Sequence, residues 1–589
     1  MRIGLVTEGG YPYVGGDAGL WCDRLVRGLG QHEFDVYALR RSRRQEDEGR
    51  LELPPHVSRV RTAPLWTAEQ DGKAYGRRAR RRFAESYGQL AEVLSAGPAG
   101  VQGADPPAAL RGAGRAADPG AAPGHLADRF GSALYGLAEL ARDEGGLPGA
   151  LRSDTAVRAL ERACRTPGAH SLAREARVPD LLTVAAHLER ALRPLSLDWY
   201  GDDALGAADL CHATAAGPAA LPGLLAGHFS GVPLLVTEYG VHLRAHYLAA
   251  GPDTVTPAVR TLLAAFHGRF AAEVYGRAAI ITPGNAHARR WQERCGAERS
   301  RIRTVHPGME ASRFTEVGEA PDRADPGTLV WVGGVEPSKD LVSLLHAFAE
   351  VRREEPRARL RVLGAPVGSE GAAYLGHCRA LAAQLFPDEA EGVHAVGDNP
   401  VSFEEIGGPD APTLADAYAS GAVVVLSSVV EGFPAGLVEA MLCGRPTVST
   451  DVGAVVEVIG GTGLVVPPRN PRALAEACVA LLRDPERRER LGAAARARAL
   501  ELFTVEQNIA AFHTLYLEIV SHCPVRRVVL DEAGKPLPFA VPAEAHVPGR
   551  WTRPTARAVH RGGPGRAPGT TPWPAPVPAT GPAATEGAL

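Results

Sequence analysis

Two glutamates with seven residues between them, in a glycine-bearing loop, are the first residues of this 589-residue chain whose types and spacing invite chemistry. The run Ser427-Ser428-Val429-Val430-Glu431-Gly432-Phe433-Pro434-Ala435-Gly436-Leu437-Val438-Glu439 sets Glu431 after an apolar, strand-like stretch and Glu439 about two turns into the next helix. Carboxylates accept hydrogen bonds from vicinal hydroxyls. Gly432 and Pro434 let the backbone pass close to a ligand, and a helix N-terminus offers free N–H groups to a phosphate. The same residues also fit a plain helix start, with one acid favouring the dipole and the other on a solvated face. Spacing alone favours the plain reading.

Lys339 is the basic residue that stands out. Only three of the 64 basic residues are lysines (Lys73, Lys339 and Lys535), and Lys339 follows a strand-like run. A compact ammonium meets phosphate as a point charge where a guanidinium fork does not fit. The plain reading is a solvated lysine at a helix start. Gly15 and Gly16 permit close backbone approach or simply make a tight turn. His212 and His242, each beside a strand-like run, are candidate imidazoles, although a lone loop histidine more often serves the structure.

Such loops need a scaffold, and the pattern supplies one. Strands are expected at 2–7, 34–39, 209–213, 233–237, 278–282, 301–305, 328–332, 358–363, 392–396, 422–427 and 446–449. Helical patterns lie between them, one of them at 338–354, with long ones at 471–499 and 504–520. Alternation of this kind implies parallel sheets covered on both faces, and ligands then sit at the carboxyl ends of the strands. The expected architecture is α/β: a Rossmann-like domain at 1–310 with a helical, partly low-complexity insertion at about 41–200, and a second at 325–500. The segments 96–125 and 545–589 read as flexible and dispensable. The latter holds nine prolines, seven glycines and five arginines against the single Glu586, a composition that cannot bury a core. A basic tail of this kind allows a weak contact with anionic lipid or an acidic partner, although its plain role is solubility.

Composition removes several classes. Net charge is −3, so no basic field marks a nucleic-acid binder. The eight cysteines are scattered without C-x-x-C or metal spacing, which argues for a reducing compartment and against a zinc module or disulfide scaffold. No signal peptide and no bilayer-length apolar run are expected, which implies a cytoplasmic protein. No D-x-D, no strand-linked G-x-G-x-x-G and no P-loop motif occurs.

The loop at 427–444, with Asp451-Val452-Gly453 and Glu457 after it, resembles the E-x7-E signature region of retaining GT-B glycosyltransferases of family 4. Val305-His306-Pro307-Gly308-Met309, Trp331-Val332-Gly333-Gly334-Val335-Glu336-Pro337-Ser338-Lys339 and Gly463-Leu464-Val465-Val466-Pro467-Pro468 resemble that family's flanking segments in order. Thr7-Glu8-Gly9-Gly10-Tyr11-Pro12, Trp21, His32-Glu33-Phe34 and Thr237-Glu238-Tyr239-Gly240 resemble the PelF-like subgroup, which carries an uncharacterised N-terminal region. The resemblance implies a GT-B fold whose helix at 504–520 crosses back to the first domain. It further implies metal-independent retaining transfer of a hexosyl unit from a nucleotide sugar, UDP-glucose above others, to a hydroxyl acceptor in polysaccharide or glycoconjugate synthesis, with no cofactor. Lys339 would meet the donor diphosphate, Glu431 the transferred sugar and Glu439 the ribose, with Gly333 and Gly334 also on the donor side. Gly432, Phe433 and Pro434 would shape the loop. Gly15, Gly16, Tyr239, His242 and His212 fall on the sugar and acceptor side. Two positions depart from the family: Gly334 stands where arginine is usual, and Tyr239 where histidine is often found. The alternatives are a small acceptor such as inositol phosphate, or a non-catalytic binding protein that keeps the fold.

Overall fold

Short apolar runs bounded by turn residues become the strands of two parallel six-stranded sheets. The computed structural model describes residues 1–13, 17–42, 49–65, 74–97, 123–249, 255–319, 325–387, 399–409 and 411–525. The first sheet holds β1 (Arg2–Glu8), β2 (Glu33–Arg40), β3 (Val57–Pro64), β4 (Leu210–Ala213), β5 (Leu234–Glu238) and β6 (Ile280–Pro283), in the order 3-2-1-4-5-6. The second holds β7 (Asp325–Val332), β8 (Arg359–Leu363), β9 (Val401–Glu404), β10 (Gly421–Leu426), β11 (Thr447–Thr450) and β12 (Leu464–Val466). Its order, 9-8-7-10-11-12, is that of the first sheet counted from its own first strand. Each sheet therefore reverses direction between its first and fourth strands, where an open α/β sheet forms a ligand crevice.

β1 shows why the apolar runs are continuous. Residues Ile3 to Thr7 are all buried, because helices cover both faces of a parallel sheet. Val6, Tyr37 and Leu39 face the inserted helices Arg77–Ser95, Pro123–Glu144, Asp154–Arg165 and Val178–Leu192, and the helix Pro257–Arg277. Ile3, Leu5, Phe34 and Val36 face the other way, onto Leu25 and onto Phe512, Leu515, Tyr516 and Ile519. Those last four belong to the helix Val505–His522, which follows the second sheet in sequence yet completes the core of the first. The chain's two passages between lobes run side by side, with Met309 N–H donating to Phe503 O at 2.7 Å and Val505 N–H to Met309 O at 3.1 Å.

Three expectations are corrected. Residues 301–305 are not a strand but an extended segment beside β6, with a single bridge at Ile281–Ile302. Arg303 and Val305 donate to Ile281 and Pro283, and Pro307, next in that alternation, has no N–H to give. The helical pattern at 471–499 is two helices, Pro471–Leu482 and Pro485–Leu502. Pro485 ends one and opens the other, and Asp484 Oδ1 caps the second by accepting from Arg487 N–H at 2.9 Å. The helix expected from 338 starts at Leu341, after a 3-10 turn at Pro337–Lys339. The strand expected at 392–396, residues 98–122 of the low-complexity segment, the tail at 545–589 and the pair Gly15–Gly16 lie outside the described residues. Among the described residues, no helix is long and apolar enough to cross a membrane.

Candidate functional site

Lys339 and Glu431 meet at the reversal point of the second sheet, Lys339 on the loop after β7 and Glu431 on the loop after β10. Lys339 Nζ donates to Glu431 Oε1 at 2.5 Å, and the two side chains are 22% and 10% exposed. Ser428 Oγ donates to the same carboxylate oxygen at 2.8 Å. The loops are laced together beneath the pair: Ser427 Oγ donates to Lys339 O, Val429 N–H to Ser338 O, and Thr450 Oγ1 to Ser428 O. Asp340, next to Lys339, holds left-handed backbone at φ 47° and caps the following helix through Ser343 N–H. A non-glycine residue in that region costs roughly 1–3 kcal/mol, so the turn that presents Lys339 is held by its surroundings.

The glycines around the pair have distinct jobs. Gly453, at φ +58°, lies under the Glu431 loop; a Cβ there would stand 2.5 Å from Glu431 O and 2.7 Å from Gly432 O. Gly432 itself faces open space, since a Cβ would meet nothing within 4 Å. Gly333 bonds its N–H to Leu363 O. Gly334 sits against Val367 and brings no charge. Pro434 opens the helix Ala435–Leu442, and half-buried Phe433 lies beside His306 and Phe503. Glu439, on that helix, accepts from Tyr418 Oη at 2.9 Å. Burial and the adjoining Glu439 carboxylate push the Tyr418 phenol well above its usual range, so it stays a donor.

The first lobe reaches across. Arg244, on the helix His242–Ala249, donates to Glu431 O at 2.8 Å. Glu457 Oε2 accepts from Ala286 N–H at 2.6 Å, at the start of the helix Ala286–Arg294, and His306 Nε2 lies 3.9 Å from the same carboxylate. These contacts tie the lobes on either side of the Lys339–Glu431 pair. Nothing in the sequence around Arg244 or Tyr418 marked them, because one meets a backbone oxygen 187 residues away and the other a carboxylate 21 residues on. Ser428 lies within the Glu431 loop itself, three residues before the carboxylate it holds.

The first-lobe candidates separate. His212 is fully buried, its Nδ1 bonded to Tyr516 Oη and its Nε2 to Thr237 Oγ1, both at 2.7 Å. Burial pushes its pKa down to about 3. The structure therefore corrects its placement at the acceptor side: both ring nitrogens are used within the core, and His212 helps hold the helix Val505–His522. Tyr239 is half-buried, edge-on to Trp21 with centroids 5.3 Å apart, and its hydroxyl accepts from Asn508 Nδ2 at 3.2 Å. His242 begins the helix that carries Arg244, with its backbone N–H donating to Glu238 Oε1. Among the described residues, no group of three or more His, Cys, Asp or Glu side chains is arranged to hold a metal ion.

The family described as a domain of unknown function, DUF3492, matches residues 1–300, and glycosyl transferases group 1 matches residues 326–484. The D-inositol 3-phosphate glycosyltransferase of Kineococcus radiotolerans is 34% identical over 241 residues, 37% of this chain and 52% of the relative. The protein of the same name from Streptomyces bingchenggensis is 34% identical over 236 residues, 38% of this chain and 49% of the relative. The chain spans about half the length of the curated relatives it matches. Sucrose-phosphate synthase from Thermosynechococcus elongatus superposes with a TM-score of 0.50 at 16% identity, over 89% of this chain and 100% of that one. That likeness shows the fold, two Rossmann-like domains of the GT-B type.

Proposed function

The chain belongs to the DUF3492 family and carries a group 1 glycosyl transferase domain, and from that premise we propose that it is a retaining, metal-independent hexosyltransferase using a nucleotide sugar, UDP-glucose above others. The observation that carries this reading is the Lys339–Glu431 pair at the reversal point of the second sheet. Motif order along 300–520 supports placement in family 4 and, with the first 40 residues, in the PelF-like subgroup.

The reaction needs two things at once: a stabilised diphosphate leaving group and a sugar held while positive charge grows at its anomeric carbon. Lys339 and the first N–H groups of the helix Ala435–Leu442 supply preorganised positive potential for the diphosphate. Glu431, held by Ser428, accepts from the sugar's hydroxyls, and Glu439, held by Tyr418, accepts from the ribose. The acceptor oxygen bonds to the anomeric carbon from the face the phosphate leaves. The carbon–phosphate-oxygen bond breaks, and the acceptor's proton passes to the departing phosphate. With Gly334 in place of a second cation, part of the leaving-group charge falls to Arg244, which already reaches this loop. We place the reaction in the cytoplasm, a reading supported by eight cysteines that all stand free.

The acceptor is a polysaccharide or glycoconjugate hydroxyl, or, as a second reading favoured by the names of the curated relatives, a small polyol phosphate. The direct test is incubation of the full chain with UDP-glucose and measurement of UDP release, with and without acceptors. Absence of both UDP release and UDP binding would sink the proposal in favour of a non-catalytic protein of this fold.

A further inference from the structure

The first sheet has its own reversal point, between β1 and β4, and a cavity of about 270 Å³ opens there. Glu8 ends β1 and Gly217 follows β4, and both line the cavity, as does His242 from the start of the helix whose Arg244 touches the Glu431 loop. The cavity thus lies on the first lobe, beside the element that reaches the proposed donor site. Its far wall comes from the inserted helix Val178–Leu192, through His187 and Arg190, and from the helix Pro257–Arg277, through His267.

Its polar groups are unevenly satisfied. The Glu8 side chain is 7% exposed, and its Oε1 accepts from Arg41. Its Oε2 is buried and has no hydrogen-bond partner among the described residues. A buried carboxylate oxygen left unpaired is costly unless a ligand completes it, and the donors that suit it are hydroxyls. Arg190 has no ion-pair partner among the described residues, whereas Arg41 pairs with Glu8, so Arg190 is left to meet an anion. His267 is pushed down to about 4 by burial and by the neighbouring His246, His242 and His187, so it enters as a neutral imidazole that can both donate and accept. Phe266 and Phe270 give an apolar wall. The volume lies at or below the small end of ligand pockets, roughly 300–1,000 Å³, which fits one sugar or polyol ring and excludes a long glycan.

We propose that this cavity is the acceptor subsite and that it selects a single-ring polyol or sugar bearing one anionic group, with Glu8 and the imidazoles taking hydroxyls and Arg190 the phosphate or carboxylate. This rests on the transferase reading above and narrows its acceptor to a small anionic polyol.

The test is calorimetric titration of the full-length protein with myo-inositol 1-phosphate, glucose 6-phosphate and glucuronate, each against its neutral counterpart, myo-inositol or glucose. At least one anionic member should bind tenfold or more tighter than its neutral partner. Arg190→Ala should remove that preference, with the unfolding midpoint unchanged because Arg190 is exposed, and Arg190→Lys should restore part of it. Glu8→Gln should weaken both members of the responsive pair. Equal binding of charged and neutral members, no binding of any, or a preference that survives Arg190→Ala overturns the proposal. UDP titrated separately keeps the two readings apart. UDP binding without an anionic preference removes the subsite and leaves the transferase, whereas an anionic preference without UDP binding does the reverse.

Discussion

Lys339 Nζ and Glu431 Oε1 stand 2.5 Å apart, joined from two loops 92 residues distant in sequence. Without a nucleotide sugar each is the other's counter-ion. In the proposed reaction a bound diphosphate would offer Lys339 a stronger partner, and donor binding would turn an internal ion pair into two ligand contacts. Removing one preorganised donor of this kind typically costs 10²–10³ in kcat. Lys339→Ala and Glu431→Gln should each lower UDP release from UDP-glucose by at least about 100-fold. Wild-type rates in both would end the role assignment.

Gly453→Ala tests the loop rather than the charges. The added methyl would lie 2.5 Å from Glu431 O, an atom that also accepts from Arg244. Backbone atoms cannot swing aside as a side-chain tip can, and an alanine at φ +58° adds roughly 1–2 kcal/mol of strain. Turnover should fall by an order of magnitude or more while circular dichroism still reports a folded protein. A variant with normal turnover would show that the loop tolerates displacement.

Tyr418→Phe should separate binding from chemistry. The hydroxyl holds Glu439 at 2.9 Å, and a hydrogen bond to a charged group is worth about 1.5–3 kcal/mol. KM for the nucleotide sugar should rise about tenfold, the equivalent of about 1.4 kcal/mol, with kcat within about twofold. A kcat effect alone would count against the proposed ribose contact of Glu439.

Acid should destabilise the fold earlier than carboxylate protonation requires. His212 is held neutral, its pKa pushed from 6.5 down to about 3 by burial, and His32 is pushed to about 4 chiefly by the same cause. A folded-state pKa below the unfolded one means that the folded protein binds fewer protons. The stability each neutral imidazole contributes is complete above about pH 6.5 and is lost as pH falls toward the folded value, at about 1.4 kcal/mol per unit for each group. The guanidinium midpoint should therefore drop between pH 7 and pH 5, and less steeply for His212→Gln. A midpoint that is flat over that range in the wild type would refute the buried neutral state.

How much of this could be read from residues alone depended on where each element sits. β1, β4, β5 and β10 were legible because burial on both faces leaves a continuous apolar run. The strands β3, β9 and β12 were not, since all three lie at or next to a sheet edge and carry polar or half-exposed residues such as Arg59, Arg61 and Ser402. Glu431, Glu439 and Lys339 could be nominated by type and loop position, but their contact could not, being a product of the crossover between β7 and β10. His212 misled for a related reason. It adjoins the carboxyl end of a strand as a ligand-facing residue would, and only Tyr516, some 300 residues later, closes it off.

The helix Val505–His522 also sets the order in which the protein can be made. Domains generally fold as units, the N-terminal one first during synthesis. Here the nascent first lobe leaves the ribosome without Phe512, Leu515, Tyr516 and Ile519, so the face formed by Ile3, Leu5 and Phe34 has only the part of its cover that Leu25 and its neighbours give until the second lobe has been translated. An uncovered apolar face of that kind is a hazard for association with other chains. The first lobe is thus the earlier to be translated and the later to be completed, and a fragment that stops before the helix should expose on the isolated lobe the surface that the growing chain must keep from its neighbours.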